Sequence, residues 1–309
     1  MGHKGGLHGL DGRTISRANF ESRRRRWWAG VSKWLYLLPA LAILVGIVIY
    51  PLIYMFRSTL FQWQAGIFGR FLGLSLWAKL LTGETLRIAL TNSVILAVGT
   101  VVCELLLGLA LALFLNETLG RLRTVLRAGL LIPIFIAPVI VGLMWRIIFN
   151  PQYGVFAWAI GQRGFSPIAR DDLALYAIML SEIWQWTPFV FIILLAALQS
   201  VPIDVLEAAL VDGASFPKRL RHVIIPHILP AIIIALLLRS MEAFKIFDTI
   251  QVMTHGGPGR ATEDMTYLIF RTGIWVSDVS TAATYSWVLV IILTVLASFF
   301  LKYAYRERG

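Results

Sequence analysis

The chain has 309 residues, of which 58% are apolar and 15% are charged, and its mean hydropathy is +0.75. Soluble proteins contain about 45–50% apolar and about 25% charged residues, so this composition excludes an ordinary soluble domain and predicts a protein that crosses a membrane several times. The net charge of +11 does not indicate a nucleic-acid partner, because the basic residues flank the apolar stretches instead of forming one soluble face.

The first 33 residues are basic, and we predict that segment 1–33 is a cytoplasmic extension preceding a membrane domain at 34–309. Its run Arg23 to Arg26 is followed by Trp27 and Trp28. Such a run suits anionic membrane lipid and anchors the topology. The first apolar stretch is too long for a removable signal peptide, so we expect it to be retained.

Six apolar stretches are long enough to cross the hydrocarbon core, which takes roughly 20 helical residues. They are 34–56, 88–115, 128–149, 173–199, 226–250 and 281–303. The sequence therefore predicts an all-α, polytopic membrane protein with six transmembrane helices. Prolines inside these stretches, such as Pro133, Pro138, Pro188 and Pro230, can kink the helices.

The distribution of Lys and Arg predicts the orientation of the spans. If the N-terminus is inside, the segments on that side carry more Lys and Arg than the segments outside. Cytoplasmic loops hold this excess, so we expect both termini and the loop between the fourth and fifth spans to be cytoplasmic.

The sequence offers no set of residues for catalysis or cofactor binding. Cys103 is the only cysteine, the five histidines lack zinc-protease spacing, and no phosphate-binding Gly-rich loop occurs. We therefore predict that the chain is not an enzyme, binds no metal or cofactor, and relies on another polypeptide if its work is driven by ATP.

The polar and basic stretch at about 200–225 is predicted to protrude as a docking element. Asp204 can cap a short helix, and Asp212 with Gly213 can end it, because Gly tolerates the left-handed conformation. Ser215 can cap a second helix with Pro217 in its first turn. The result is a cytoplasmic helix, a turn and a helix that enters the fifth span.

Two motifs carry a resemblance to a known family. Glu207, Ala208 and Ala209 are followed by three residues, Gly213, nine residues and the run Val223 to Pro226. This spacing resembles the signature of permease subunits of ATP-binding-cassette importers, with Val223 and Ile225 as conservative departures. The segments 247–250 and 253–259 are similar to a Phe-Asp and Gly-Gly-Pro-Gly region of the maltose-type carbohydrate branch, with His255 as a departure.

The resemblance implies a binding-protein-dependent importer in a bacterial cytoplasmic (inner) membrane. Its solute would be a sugar or sugar-like compound, namely a disaccharide, a monosaccharide, a polyol or a glycerol phosphate. The resemblance also implies a heterodimer with a second permease, two copies of an ATPase that uses ATP and Mg, and an extracytoplasmic solute-binding protein received by the outer segments 57–87, 150–172 and 251–284. The ATPase-coupling residues would be Glu207, Ala208, Ala209, Asp212, Gly213 and Pro226. The alternative is an ion-coupled secondary carrier of a small polar solute.

Polar and aromatic residues inside the spans are candidates for the substrate pathway, because ionisable side chains at that depth face a bundle interior or a watery cavity. The candidates are Asn92, Glu182, Gln185, Trp186, Arg239, Glu242 and Asp248. The charges from Arg239 to Asp248 recur at i, i+3 spacing, so they either line a pathway or neutralise one another along one helix. Trp184 and Trp186 point about 200° apart, so one of them at most faces a given cavity. Glu104 is interpreted as an interhelical hydrogen-bonding group.

Overall fold

The computed structural model describes residues 36–64, 67–117 and 121–306, and the predicted segment 1–33 lies outside them. The described helices are α1 (Tyr36–Leu60), α2 (Ser75–Leu81), α3 (Glu84–Glu117), α4 (Arg121–Leu131), α5 (Pro138–Ile148), α6 (Val155–Ala159), α7 (Ala174–Gln199), α8 (Ile203–Val211), α9 (Phe216–Ala243), α10 (Asp248–Met253), α11 (Met265–Phe270) and α12 (Val279–Arg306). Strands β1 (Phe61–Gln64) and β2 (Ile67–Phe71) form an antiparallel hairpin that the sequence analysis did not predict.

The chain forms two compact units, residues 1–57 and 58–309. The described part of the first unit is the helix α1 as far as Arg57. In the second unit, Ser280 at the start of α12 joins the hairpin to that helix. Its Oγ accepts a hydrogen bond from the backbone N of Trp63 and donates one to the carbonyl oxygen of Phe61, both at 2.8 Å.

The predicted spans are confirmed as membrane-length apolar helices, although several ends differ. The helices α1, α3, α7, α9 and α12 are each long and apolar enough to cross a membrane, and the bent pair α4–α5 gives a sixth when it is counted as one span. The fifth span is shifted from 226–250: α9 begins at Phe216 and ends at Ala243. The sixth begins at Val279 because Asp278 accepts hydrogen bonds from the N and Oγ1 of Thr281.

The third predicted span, at 128–149, bends by 98° at the prolines that were expected to kink it. Pro133 lies in a short 3-10 turn and Pro138 begins α5. A proline disfavours the helical conformation in the residue before it, and Ala137 is extended, with ψ of 138°. The two helices of this span therefore run in different directions.

The second unit packs around α3 and α7, whose close approach depends on a glycine. A Cβ on Gly108 would lie 2.9 Å from Cγ1 of Val190 and 3.0 Å from the backbone N of Phe191. Both of these residues are buried in a cluster that includes Ala112 and Leu194. The absence of a side chain at Gly108 thus sets the distance between these two helices.

We expect Gly108→Ala to destabilise the protein by roughly 1–3 kcal/mol, because the new methyl group overpacks the contact with α7. The matched control is Gly129→Ala in α4, where a Cβ would have no atom within 4 Å. Thermal unfolding of the purified protein in detergent measures both variants. Equal unfolding temperatures would show that the two helices separate without cost.

The segment between α9 and α12 contains α10, which packs against α5 of the bent third span. At this contact, a Cβ on Gly142 would lie 3.2 Å from Cβ of Val252. Arg146 of α5 donates from Nη1 to the carbonyl oxygen of Val252 at 3.0 Å. These contacts join the helix that follows the bend of the third span to the helix that follows α9.

Candidate functional site

The predicted docking element has the expected order of a helix, a turn and a second helix. Helix α8 ends where Gly213 adopts the left-handed conformation with φ of +72°, as predicted. The capping prediction for Asp204 is wrong, because Pro202 holds the N-cap position and Asp204 lies in the first turn. Its charge there still suits the N-terminal end of the helix dipole. Ser215 holds the N-cap position of α9, but its side chain makes no capping bond.

Much of the docking element is exposed. Glu207, Ala208 and Asp212 are exposed, and so is the apolar side chain of Val211, at 88%. Ile203 and Leu210 of the same helix are also exposed, and several exposed apolar side chains close together indicate an interaction surface better than a single one does. Pro226 is also exposed, near the start of the apolar part of α9. The roles of these residues in coupling stay predictions.

A polar cavity of about 120 Å³ lies between the start of α5, the middle of α7, the end of α9 and the start of α10. Its lining consists of Pro138, Glu182, Trp186, Arg239, Glu242, Lys245, Ile246, Phe247, Asp248 and Thr249. Five of the predicted pathway residues therefore meet around one space. They are Glu182, Trp186, Arg239, Glu242 and Asp248.

Arg239, a lining residue of this cavity, belongs to a buried ion pair. Arg239 of α9 donates from Nε and Nη2 to the two carboxylate oxygens of Glu104 in α3, at 2.6 and 2.7 Å. The side chains of the two residues are 2% and 0% exposed. The interpretation of Glu104 as an interhelical hydrogen-bonding group is thus confirmed. Of the charges expected to neutralise one another along one helix, Glu242 and Lys245 do pair, whereas Arg239 pairs with Glu104 of another helix.

Trp186 stands over the guanidinium of Arg239, whose central carbon is 4.8 Å from the centroid of the indole ring. This distance is that of a cation–π contact. Trp184 instead packs edge-on against Trp145, with ring centroids 6.2 Å apart, and lines an apolar groove. The prediction that at most one of the two tryptophans faces a given cavity is confirmed.

The more exposed side of the cavity carries Glu242, Lys245 and Asp248, whereas Glu182 is buried. Lys245 donates to Glu242 at 2.8 Å, and the two side chains are 42% and 58% exposed. Glu182 accepts a hydrogen bond from Oγ1 of Thr249 at 2.6 Å. Asp248 begins α10 and makes no ion pair with a described residue. Carboxylate oxygens are acceptors, so this side offers partners to hydroxyl groups.

Two predicted pathway residues do not line the cavity and instead support the backbone around it. Asn92 donates from Nδ2 to the carbonyl oxygens of Arg260 and Glu263, at 3.2 and 3.0 Å. Gln185 donates from Nε2 to the carbonyl oxygen of Ile136 at 2.9 Å, within the bend of the third span. Both amides hold chain segments that lack regular helical hydrogen bonds.

The sequence analysis did not single out Pro138, Phe247 or Thr249 as part of the site. Phe247 and Thr249 belong to the segment 247–250, whose resemblance to the Phe-Asp motif could have identified them as candidate site residues. Among the described residues, no group of three or more His, Cys, Asp or Glu could hold a metal ion. The cavity lining offers carboxylate oxygens and one indole ring.

Outside the spans, the loop between α10 and α11 contains two buried acidic residues, Glu263 and Asp264. Glu263 contacts Arg260 at 2.8 Å and Arg271 at 2.9 Å. Asp264 caps α11 by accepting a hydrogen bond from the backbone N of Tyr267. Burial raises the pKa of Asp264 to about 7. The folded protein therefore holds this proton more tightly than an unfolded chain, and its contribution to stability falls as the pH rises through about 7.

Comparisons with known proteins show which family this chain resembles. The sequence profile of a family described as binding-protein-dependent transport system inner membrane component matches residues 104–306. The trehalose/maltose transport system permease protein MalF of Thermococcus litoralis is 36% identical over 77% of this chain and 82% of its own. The sn-glycerol-3-phosphate transport system permease protein UgpA of Agrobacterium fabrum is 27% identical over 79% and 84%.

A solved structure resembles the whole fold. It is a crystal structure of a bacterial ABC transporter involved in the import of the acidic polysaccharide alginate. A chain of that structure matches with a TM-score of 0.77 and 22% identity, over 94% of this chain and 99% of its own. At this identity the likeness concerns the arrangement of helices.

Proposed function

This chain belongs to the family of binding-protein-dependent transport system inner membrane components, and from that premise we propose that it is the permease subunit through which an ATP-driven importer moves a sugar or sugar-like solute into the cytoplasm. The polar cavity carries the proposal. It combines carboxylate acceptors with one indole ring. Hydroxyl groups suit the former and the apolar face of a sugar ring suits the latter.

The size of the cavity supports a second permease subunit. Ligand pockets usually measure about 300–1,000 Å³, whereas this cavity measures about 120 Å³. A space of this size holds part of a sugar. We infer that a second permease supplies the remaining lining, so that the site forms between the two subunits of a heterodimer.

The exposed helix α8 supports an ATPase partner. Its apolar side chains Ile203, Leu210 and Val211 are 64%, 52% and 88% exposed, although α8 lies between two spans of membrane length. A cleft of the partner would cover them, and Glu207 would fix the register. In this arrangement two ATPase copies hydrolyse ATP with Mg, and the present chain performs no catalysis.

The proposal includes the location of the chain. With α8 facing a cytoplasmic ATPase, both termini are cytoplasmic, and 34–309 forms the permease domain in a bacterial inner membrane. The segments between α1 and α3, between α5 and α7, and between α9 and α12 then lie on the outer side. There they would receive the solute-binding protein.

Co-purification with uptake measurements tests this function. We expect the tagged chain, extracted in mild detergent, to bring with it an ATPase, a second permease and a solute-binding protein. Deletion of the gene should abolish ATP-driven uptake of the sugar that the binding protein prefers. Isolation of the chain without an ATPase, together with uptake driven by an ion gradient, would instead favour a secondary carrier.

A further inference from the structure

The charges of the polar cavity are arranged so that each of its cations already has an anionic partner. The basic groups are Arg239, bound by Glu104 through two hydrogen bonds, and Lys245, bound by Glu242. Among the described lining residues, Asp248 adds a carboxylate without an ion pair. Counted together with Glu104, the partner of Arg239, the carboxylates of Glu242 and Asp248 outnumber the two cations even when Glu182 is left out.

This balance opposes the binding of an anion. A phosphate or carboxylate that leaves water needs a cation or several hydrogen-bond donors to replace its hydration. Here the donors of Arg239 and Lys245 are engaged by carboxylates, and further carboxylates repel the incoming charge. Uncharged hydroxyl groups meet no such repulsion, because they donate hydrogen bonds to the same oxygens.

We propose that the cavity accepts uncharged polyhydroxylated solutes and rejects their anionic counterparts, and that Glu104 sets this selectivity by masking the charge of Arg239. Glu104 is fully buried and does not line the cavity. It is a positioning residue, which acts through Arg239. The inference rests on the proposed function, and it removes glycerol phosphates and other sugar phosphates from the solutes that the importer carries.

The test compares variants in which either Arg239 or Lys245 loses its carboxylate partner. Glu104→Gln leaves Arg239 as an unpaired cation at the cavity. The double variant Glu104→Gln/Arg239→Gln loses the same ion pair but leaves no unpaired cation, so it controls for the structural effect. Glu242→Gln frees Lys245 at the exposed side, where little packing depends on the pair. This variant keeps the test available should Glu104→Gln fail to fold.

The measurement is equilibrium dialysis of the purified transporter complex, without its binding protein, against matched radiolabelled probes. The probe pairs are glucose and glucose 6-phosphate, trehalose and trehalose 6-phosphate, and glycerol and glycerol 3-phosphate. The wild-type complex is expected to prefer the uncharged member of the pair that it binds. Glu104→Gln should reduce that preference by about tenfold, corresponding to about 1.4 kcal/mol. Glu242→Gln should reduce it by less, because solvent screens an exposed charge.

Specific outcomes overturn the inference. They are wild-type preference for a phosphorylated probe, wild-type binding of none of the probes, or the same preference in Glu104→Gln as in the double variant. The importer function fails by a separate result, namely sugar uptake that continues when this chain is deleted. Preferential binding of the uncharged probe together with ATP-driven uptake supports both the importer function and the charge selectivity. ATP-driven uptake together with a preference for phosphorylated probes contradicts the charge selectivity alone.

Discussion

Replacing either Glu104 or Arg239 alone by Leu is expected to lower the free energy of unfolding by about 3–5 kcal/mol, because each change leaves the other charge buried without a partner. Both side chains are almost completely buried, and the two hydrogen bonds between them link α3 to α9. Thermal unfolding of the purified protein in detergent would show this loss as a lower midpoint temperature.

The double replacement of Glu104 and Arg239 by Leu is the control, and it should cost less than either single change. Apolar residues of similar volume often replace a buried ion pair with little loss, since no charge has to leave water. Unfolding midpoints of the two single variants and the double variant complete a double-mutant cycle. Additive losses would mean that Glu104 and Arg239 do not interact in the folded protein.

Changes in the docking element are expected to abolish uptake while the protein still inserts and folds. Glu207→Ala removes the exposed charge proposed to fix the register of α8 on the ATPase. Gly213→Val places a β-branched residue at φ of +72°, where an L-residue is strained by roughly 1–2 kcal/mol. Helix α8 would then end at a different angle. Uptake by cells and recovery of the ATPase in pull-downs measure the effect.

Gly213→Asn is the matched control for the turn. Asn tolerates the left-handed conformation better than Val does, and no atom lies within 4 Å of a Cβ at this position. The Asn variant should therefore keep far more uptake than the Val variant. Membrane levels should be equal for all of these proteins. Unaltered uptake in both Glu207→Ala and Gly213→Val would rule out the coupling role of α8.

The sequence predicts the straight spans well and the broken ones poorly. The fourth span, predicted at 173–199, is observed as α7 at Ala174–Gln199, because the apolar run has sharp ends. The third span is different, since Pro133 and Pro138 indicate a break but do not set its angle. That angle depends on contacts with distant segments, such as the hydrogen bond from Gln185 to Ile136.

The ion pairs of the candidate site also depend on residues that are distant in sequence. Spacing along one helix predicts that Arg239 meets Glu242, and this pairing would be correct for an isolated helix. In the fold, Arg239 meets Glu104, which is 135 positions away in sequence. Burial explains the choice, because a guanidinium that is 2% exposed needs a fully engaged carboxylate. Local sequence cannot supply that partner, although it correctly identifies Arg239 as a residue of the interior.

The unequal burial of the cavity wall has an evolutionary consequence. Arg239 and Glu182 lie in packed spans, so their replacement disturbs the membrane domain as well as the bound solute. Glu242 and Lys245 are exposed, and Asp248 is only half-buried. Mutations at these outer positions can accumulate with little effect on folding. Diversification of solute preference among descendants of such a permease would therefore proceed through the outer positions, while the inner wall is inherited unchanged.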